Sequence, residues 1–300
     1  MEFFSTHYGE IFALLAAMMW GSASIFFTLS SREIGAGNLN RLRLAFAVVI
    51  LSGLVTFTVG WGWVSQITNE EFGLLALSGV IGLAFGDRFY FSALKEMGPR
   101  LSTQVFALNP VTSTILAWIF LHEKLGFWPL LGIAVTIGGV ILVTSERRQK
   151  DNSTHATLRG VSFALIATVC HSSAFVLAKN VMGTKIDSLT GSFIRMVAAL
   201  IVVWALAAVN GKLFSTWRSM STPRRWKLVL AGSILGPSIG VWVALIGITH
   251  APVGIASTLM ALTPLFVIPL VVLTQGEHVS KRAILGAVIA FGGVVLLFVT

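Results

Sequence analysis

Few residues in this 300-residue chain can do chemistry, and the most conspicuous are charges set inside apolar sequence. Asp87 and Arg88 stand about ten Å from the nearer end of the run Phe72 to Leu94, at 1.5 Å of rise per residue. A carboxylate reaches solvent from that depth less easily than a long cationic chain, and a charge at mid-span costs at least about 2.5 to 3.5 kcal/mol. Some compensation must exist. Adjacent helical residues point about 100° apart, so the two do not simply neutralise each other, and at least one faces the interior of a helix bundle. Tyr90 and Phe91, three and four residues after Asp87, share its face and add an aromatic wall. An ion pair that locks helices and a site for a polar ligand both fit this chemistry.

Arg43, Arg195 and Lys227 lie within about two helical turns of a run's end, where long cationic chains snorkel to the membrane surface. For the two arginines, anchoring, pairing to a helix end and ligand contact are the alternatives. Pro110 removes a backbone donor and leaves a carbonyl near position 106 without its usual partner. The amide of Asn109 either repairs that break or, with Gln104 a turn earlier, forms a polar wall. Glu123 and Glu277 fall between runs, on the expected N-terminal side of the next helix, where a carboxylate accepts orphan backbone amides and suits the helix dipole. Cys170 is the single cysteine, so neither a disulfide nor a zinc-finger site is available. There is no HExxH, no Gly-rich phosphate loop with Lys and no pair of intramembrane carboxylates, so the reacting set of a membrane-embedded enzyme is missing.

The elements that must position these groups follow from composition. The chain is 55% hydrophobic and 11% charged, where soluble domains carry about 25% charged residues. That excludes an ordinary cytosolic enzyme and equally a disordered chain. The net charge of +9 sits in short gaps between apolar runs, where it orients helices against a bilayer and does not mark a nucleic-acid surface. Runs extend over Ile11 to Leu29, Leu42 to Val59, Phe72 to Leu94, Leu101 to Leu121 and Phe127 to Val143. Five more extend over Val161 to Ala178, Leu189 to Val209, Trp226 to Ile248, Val253 to Leu273 and Ala283 to Val299. At about 20 residues per crossing these predict an all-α integral membrane protein with ten transmembrane helices. A β-barrel would alternate within each strand, and these runs do not. Glu2 and Glu10, with no Lys or Arg, precede or open the first run, which argues against a cleaved signal peptide.

The chain repeats itself. A shift of 154 pairs Ala107, Leu108 and Pro110 with Ala261, Leu262 and Pro264, Glu123 with Glu277, Gly132 with Gly286, and Gly138-Gly139 with Gly292-Gly293. A shift of 151 pairs Gly9, Phe12, Ala13 and Leu14 with Gly160, Phe163, Ala164 and Leu165, and sets Trp20 against His171; Arg43 falls on Arg195 with one residue of slippage. The units are 1–145 and 160–300, with 146–159 as a polar linker. Five crossings in each unit require the second to enter the membrane from the opposite side, so the repeats are inverted, an architecture that holds a site near the midplane between its halves. Trp20 and His171 then stand at like depth on opposite walls, either packed or lining a cavity. The glycines of the fifth and tenth runs permit close helix packing.

These features resemble the drug/metabolite transporter superfamily, in its EamA-like branch of ten-helix proteins made of two five-helix repeats. The resemblance spans nearly the whole chain. It rests on Trp20-Gly21-Ser22, on Arg43 with Arg195, on Asn109-Pro110 with Thr263-Pro264, on Glu123 with Glu277, and on the paired glycines. One departure is Cys170-His171-Ser172 where the first half has Met19-Trp20-Gly21, so the two halves do not line a cavity alike. The resemblance implies a secondary carrier of a small metabolite, often an amino acid or related compound and frequently outward, by alternating access at a midplane cavity. Asp87, Arg88, Tyr90, Trp20, His171, Gln104 and Asn109 are the candidates for its walls. Pro110, Pro264, Glu123, Glu277, Arg43 and Arg195 are candidates for structural or gating roles. A carrier needs only a cavity and two related halves, with no cofactor and no metal; a passive channel is the alternative. With no nucleotide-binding segment, the drive would come from a gradient of proton, ion or substrate.

The expected location is the cell membrane, and for orientation two expectations conflict. Relatives of this type usually keep both termini in the cytoplasm. Against that, the odd-numbered loops and their flanks carry Arg32, Arg41, Arg43, Lys95, Arg100, Arg147, Arg148, Lys150, Arg159, Lys212, Arg218, Arg224, Arg225, Lys227, Lys281 and Arg282. The even side holds Lys124, Lys179 and Lys185, a count of 16 against 3. Positive residues in short loops favour the cytoplasm, which predicts external termini.

Overall fold

The computed structural model describes residues 6–145, 157–182, 186–267, 269 and 281–298. Most of the expected linker, and Glu277, lie outside the described residues.

Helix α1 (Tyr8–Ile34) ends at Gly35, whose N–H bonds to Ser31 O and whose φ of 80° is a region open to glycine at little cost. Helix α2 (Ala36–Thr58) follows at once. A capping box opens α3 (Asn69–Gly79): the Thr68 hydroxyl accepts the Glu71 N–H and the Glu71 carboxylate accepts the Thr68 N–H. Then come a π-helical segment (Val80–Gly86), α4 (Asp87–Phe106), α5 (Asn109–Leu121) and α6 (Phe127–Ser145). The second half holds α7 (Leu158–Val181), α8 (Ser188–Val209), a short α9 (Leu213–Arg218), α10 (Pro223–Ser233), a second π segment (Ile234–Ser238), α11 (Ile239–His250), α12 (Val253–Met260) and α13 (Lys281–Leu297). Asp187 caps α8 by accepting the N–H groups of Leu189 and Thr190.

Eight helical stretches among the described residues are long and apolar enough to cross a membrane, from Tyr8–Ile34 to Pro223–His250. The expected ninth and tenth runs hold the shorter helices Val253–Val267 and Lys281–Leu297. The third and eighth runs read as unbroken helices in sequence, yet each is widened by a π segment at a matching place, since Val80 and Ile234 are 154 residues apart. A π turn re-aims the side chains that follow it.

The halves pack as an exchange of equivalent parts. Helix α4 lies along α7, and α11 along α1. At the centre of these contacts Gly86 faces the His171 ring and Gly240 faces the Trp20 ring; a methyl carbon on either glycine would come 2.9 Å from that ring. The same swap joins α6 to α13, where Gly132 meets the Gly293 carbonyl and Gly139 meets the Gly286 carbonyl. Contacts exchanged in this way are the mark of a two-fold relation between the repeats. Gly138 and Gly292 face open space, so they are not part of this close approach. Small residues such as Ala13, Ala16, Ala164 and Ala167 are buried, while Phe57, Phe120, Phe127 and Val209 are exposed. In lipid that distribution is expected, because close backbone packing replaces the hydrophobic drive between helices.

Candidate functional site

Asp87 is the first residue after the π segment, and its carboxylate is buried between the repeats. One oxygen, Oδ2, accepts from Arg43 Nη2 on α2. The other, Oδ1, lies 3.3 Å from His171 Nε2 on α7. Arg43 is held further by Asn40 Oδ1, which accepts from its Nε at 2.9 Å, and by the Phe27 and Phe91 rings, each 5.6 Å from the guanidinium carbon. Gly86 lets the imidazole approach, because any Cβ there would collide with it. Phe106 stands edge-on to His171 at 5.2 Å, and Tyr90 packs on Phe106 at 4.8 Å. Spans two, three and six thus converge on one carboxylate. This is the compensation that a charge at such depth demands.

Beside it lies a hydroxyl cluster. Ser172, next to His171 and fully buried, shares a hydrogen bond with Thr112 Oγ1 at 2.5 Å, accepts from Ser113 Oγ at 3.0 Å and donates to Asn109 O at 3.3 Å. The Asn109 side chain accepts from Ser113 at 3.2 Å. That side-chain bond stays within α5, and it is the Asn109 main-chain carbonyl that meets Ser172 of the other repeat. The expected break within the fourth helix also takes another form: α4 ends at Phe106, and Pro110 sits in the first turn of α5, where its missing N–H costs no bond. Pro264 stands in the equivalent place, after the turn residues Ala261 and Leu262. Gln104 is half-buried on α4.

Further ionic contacts join the repeats near the ends of the bundle, among them Arg159 with Glu96 at 3.8 Å. Glu123 Oε1 pairs with Lys179 Nζ at 2.6 Å, and Lys179 also donates to Ala251 O at 2.6 Å. Glu123 Oε2 accepts the Val253 N–H at 2.8 Å. The carboxylate does cap a helix, but it is α12 of the other repeat and not the helix that follows it in sequence. On the opposite side Glu33 pairs with Arg225 at 3.2 Å and Arg224 at 3.4 Å.

The structure gathers Asp87, Tyr90, His171, Asn109 and Arg43 into one neighbourhood. Arg88 is exposed on the bundle surface and stays outside it. Trp20 is half-buried against Gly240, the repeat counterpart of the contact between His171 and Gly86. Arg195 does not reach the membrane surface; it is 2% exposed. Sequence reading passed over Asn40, Ser113, Thr112 and Lys179. The signal for Asn40 was its place three residues before Arg43 on one helical face. Gly236-Pro237-Ser238-Ile239-Gly240 spells the GxSxG of a nucleophile turn, yet here Ser238 is buried in the second π segment and donates to Ser233 O at 2.8 Å. No group of three metal-ligating side chains occurs among the described residues.

Comparison with known proteins agrees with this architecture. The EamA-like transporter family matches residues 7–145 and, a second time, residues 158–299. An uncharacterized transporter of Clostridium kluyveri is 22% identical over 297 residues, covering 96% of this chain and 92% of that protein. Human solute carrier family 35 member G1 is 25% identical over 68% of this chain and 56% of its own length. The chloroplastic phosphoenolpyruvate/phosphate translocator 1 of Arabidopsis thaliana is 24% identical over 64% of this chain and 46% of its own length. A crystal structure at 17% identity has the same fold, with a TM-score of 0.76 over 98% of this chain and 99% of that one. Two family matches that together span nearly the whole sequence make this chain a multi-pass membrane transporter, not an enzyme, and a member of the EamA-like transporter family.

Proposed function

We propose that this transporter is a secondary exporter of amino acids or related small metabolites in the cell membrane, working by alternating access between its two repeats. The observation that carries the reading is a single buried carboxylate, Asp87, shared between Arg43 of its own repeat and His171 of the other. If one repeat rocks against the other, the Arg43 pair travels with Asp87 while the His171 contact is remade at every cycle. The two end clusters fit the same cycle: Glu123 with Lys179, and Glu33 with Arg225, each join the repeats at opposite ends. Opening one end at a time requires parting one cluster while the other holds.

Counterflow in proteoliposomes tests this reading. Vesicles loaded with a mixture of unlabelled L-amino acids should take up labelled amino acids saturably, and faster than unloaded vesicles. Linear uptake indifferent to loading would make the protein a channel. A complete absence of exchange across all amino acids would remove them as the cargo class.

A further inference from the structure

Arg195 is buried without an answering charge among the described residues. It stands seven residues into α8 from Ser188, as Arg43 stands seven residues into α2 from Ala36, so both lie about 10 Å inside their spans. Arg43 finds Asp87. The repeat counterpart of Asp87, set by Gly86 and Gly240 at 154 residues, is Val241, which is apolar and buried. Neither Nε nor Nη1 of Arg195 has a partner among the described residues. An arginine keeps its charge, and a buried charge left unpaired is strongly destabilising.

Small residues border this guanidinium. Its Nη2 lies 3.8 Å from where a Cβ of Gly82 would be, and Ala174 borders the same spot. In the other half the equivalent Gly236 is covered by the Phe27 ring, whose repeat counterpart is the small Ala178. Gly82 precedes Gly86 by four residues in the same π segment. Among the described residues Arg43 is answered by Asp87, and no acid pairs with Arg195.

We propose that Arg195 binds the carboxylate of the transported molecule, which supplies the counter-charge that Val241 does not. This rests on the exporter reading above and narrows its cargo to small organic carboxylates, the α-carboxylate of an amino acid first among them. The test has two arms. Without ligand, Arg195→Met keeps the apolar stem and removes the unpaired charge, so the detergent-solubilised variant should melt at or above the wild-type midpoint; a lower midpoint would show that Arg195 is structurally paired and overturn the proposal.

In the second arm, L-amino acids, 2-hydroxy acids and dicarboxylates are compared with their amides for thermal stabilisation and for inhibition of counterflow. Wild type should respond to the acids and not to the amides. Arg195→Met should weaken the acid response about ten- to a hundredfold, the worth of one charge-assisted contact, with Arg195→Lys in between. Amides as effective as acids, an unaltered acid preference in Arg195→Met, or no response to any carboxylate would each overturn it. Amino-acid counterflow that survives unchanged in Arg195→Met would leave the exporter reading standing without this site. Silent amino acids beside active carboxylates of another kind would support the site and remove amino acids as cargo.

Discussion

Asp87→Asn is the most informative single change. It keeps the shape of the side chain and one acceptor oxygen but removes the charge that answers Arg43. Losing one partner of a buried ion pair costs about 3–5 kcal/mol, against about 0–1 kcal/mol for an exposed pair. Here the two side chains are 14% and 12% exposed, close to the buried limit. The stranded guanidinium would retain Asn40 and the Phe27 and Phe91 rings, each ring worth about 0.5–1 kcal/mol. A net loss of about 2–3 kcal/mol follows, or a fall in the melting midpoint of roughly 5–10 °C by the scale for chains of this order of size. Counterflow should fall in parallel. The control is Arg43→Met with Asp87→Leu, which removes both charges and should be more stable than Asp87→Asn alone while remaining inactive. If Asp87→Asn melts as wild type does, or the double variant is the less stable of the two, the ion pair does not bear on stability as argued. An active double variant would take the cluster out of the transport cycle.

His171→Ala removes the cross-repeat partner of Asp87 and should slow exchange between labelled and unlabelled amino acids; exchange at the wild-type rate would take that contact out of the transport cycle. Glu123→Gln should loosen the end closed by Lys179, Ala251 and Val253, raising the rate at which an impermeant maleimide alkylates the lone Cys170 from that side only, and Glu33→Gln should raise it from the other. Gly139→Leu would drive a side chain into the Gly286 carbonyl and Ala290, costing at least about 1–3 kcal/mol, whereas Gly138→Leu, facing open space, should melt near wild type. A C-terminal reporter active only outside the cytoplasm should be active, from the 16-to-3 excess of Lys and Arg on the odd-numbered side; a reporter active only in the cytoplasm would overturn the external-termini orientation.

What could be read along the chain was whatever depends on local composition and on repetition. Ten apolar runs require helices, because a backbone in lipid must satisfy its own hydrogen bonds, and an odd number of crossings per repeat requires inversion. The same repetition set Trp20 against His171, and marked Gly132, Gly138, Gly139 and their counterparts Gly286, Gly292 and Gly293 as packing positions, of which Gly138 and Gly292 face open space. Asp87 stood out by the cost of a carboxylate at its depth, which is a property of the residue and its neighbours alone. Tertiary structure decided which of two adjacent charges turned inward, since one residue is 100° of rotation and a π segment shifts the phase of everything after it. That is why Asp87 is enclosed and Arg88 is not. It also chose the partners: Arg43 lies 44 positions away and His171 on the other repeat, and Glu123 caps a helix 130 residues further on. Arg43 and Arg195 hold equivalent places in sequence, yet among the described residues one is paired and the other is not. Pairing depends on which side chains meet across helices in three dimensions, and the spacing of residues along a single helix does not carry that information.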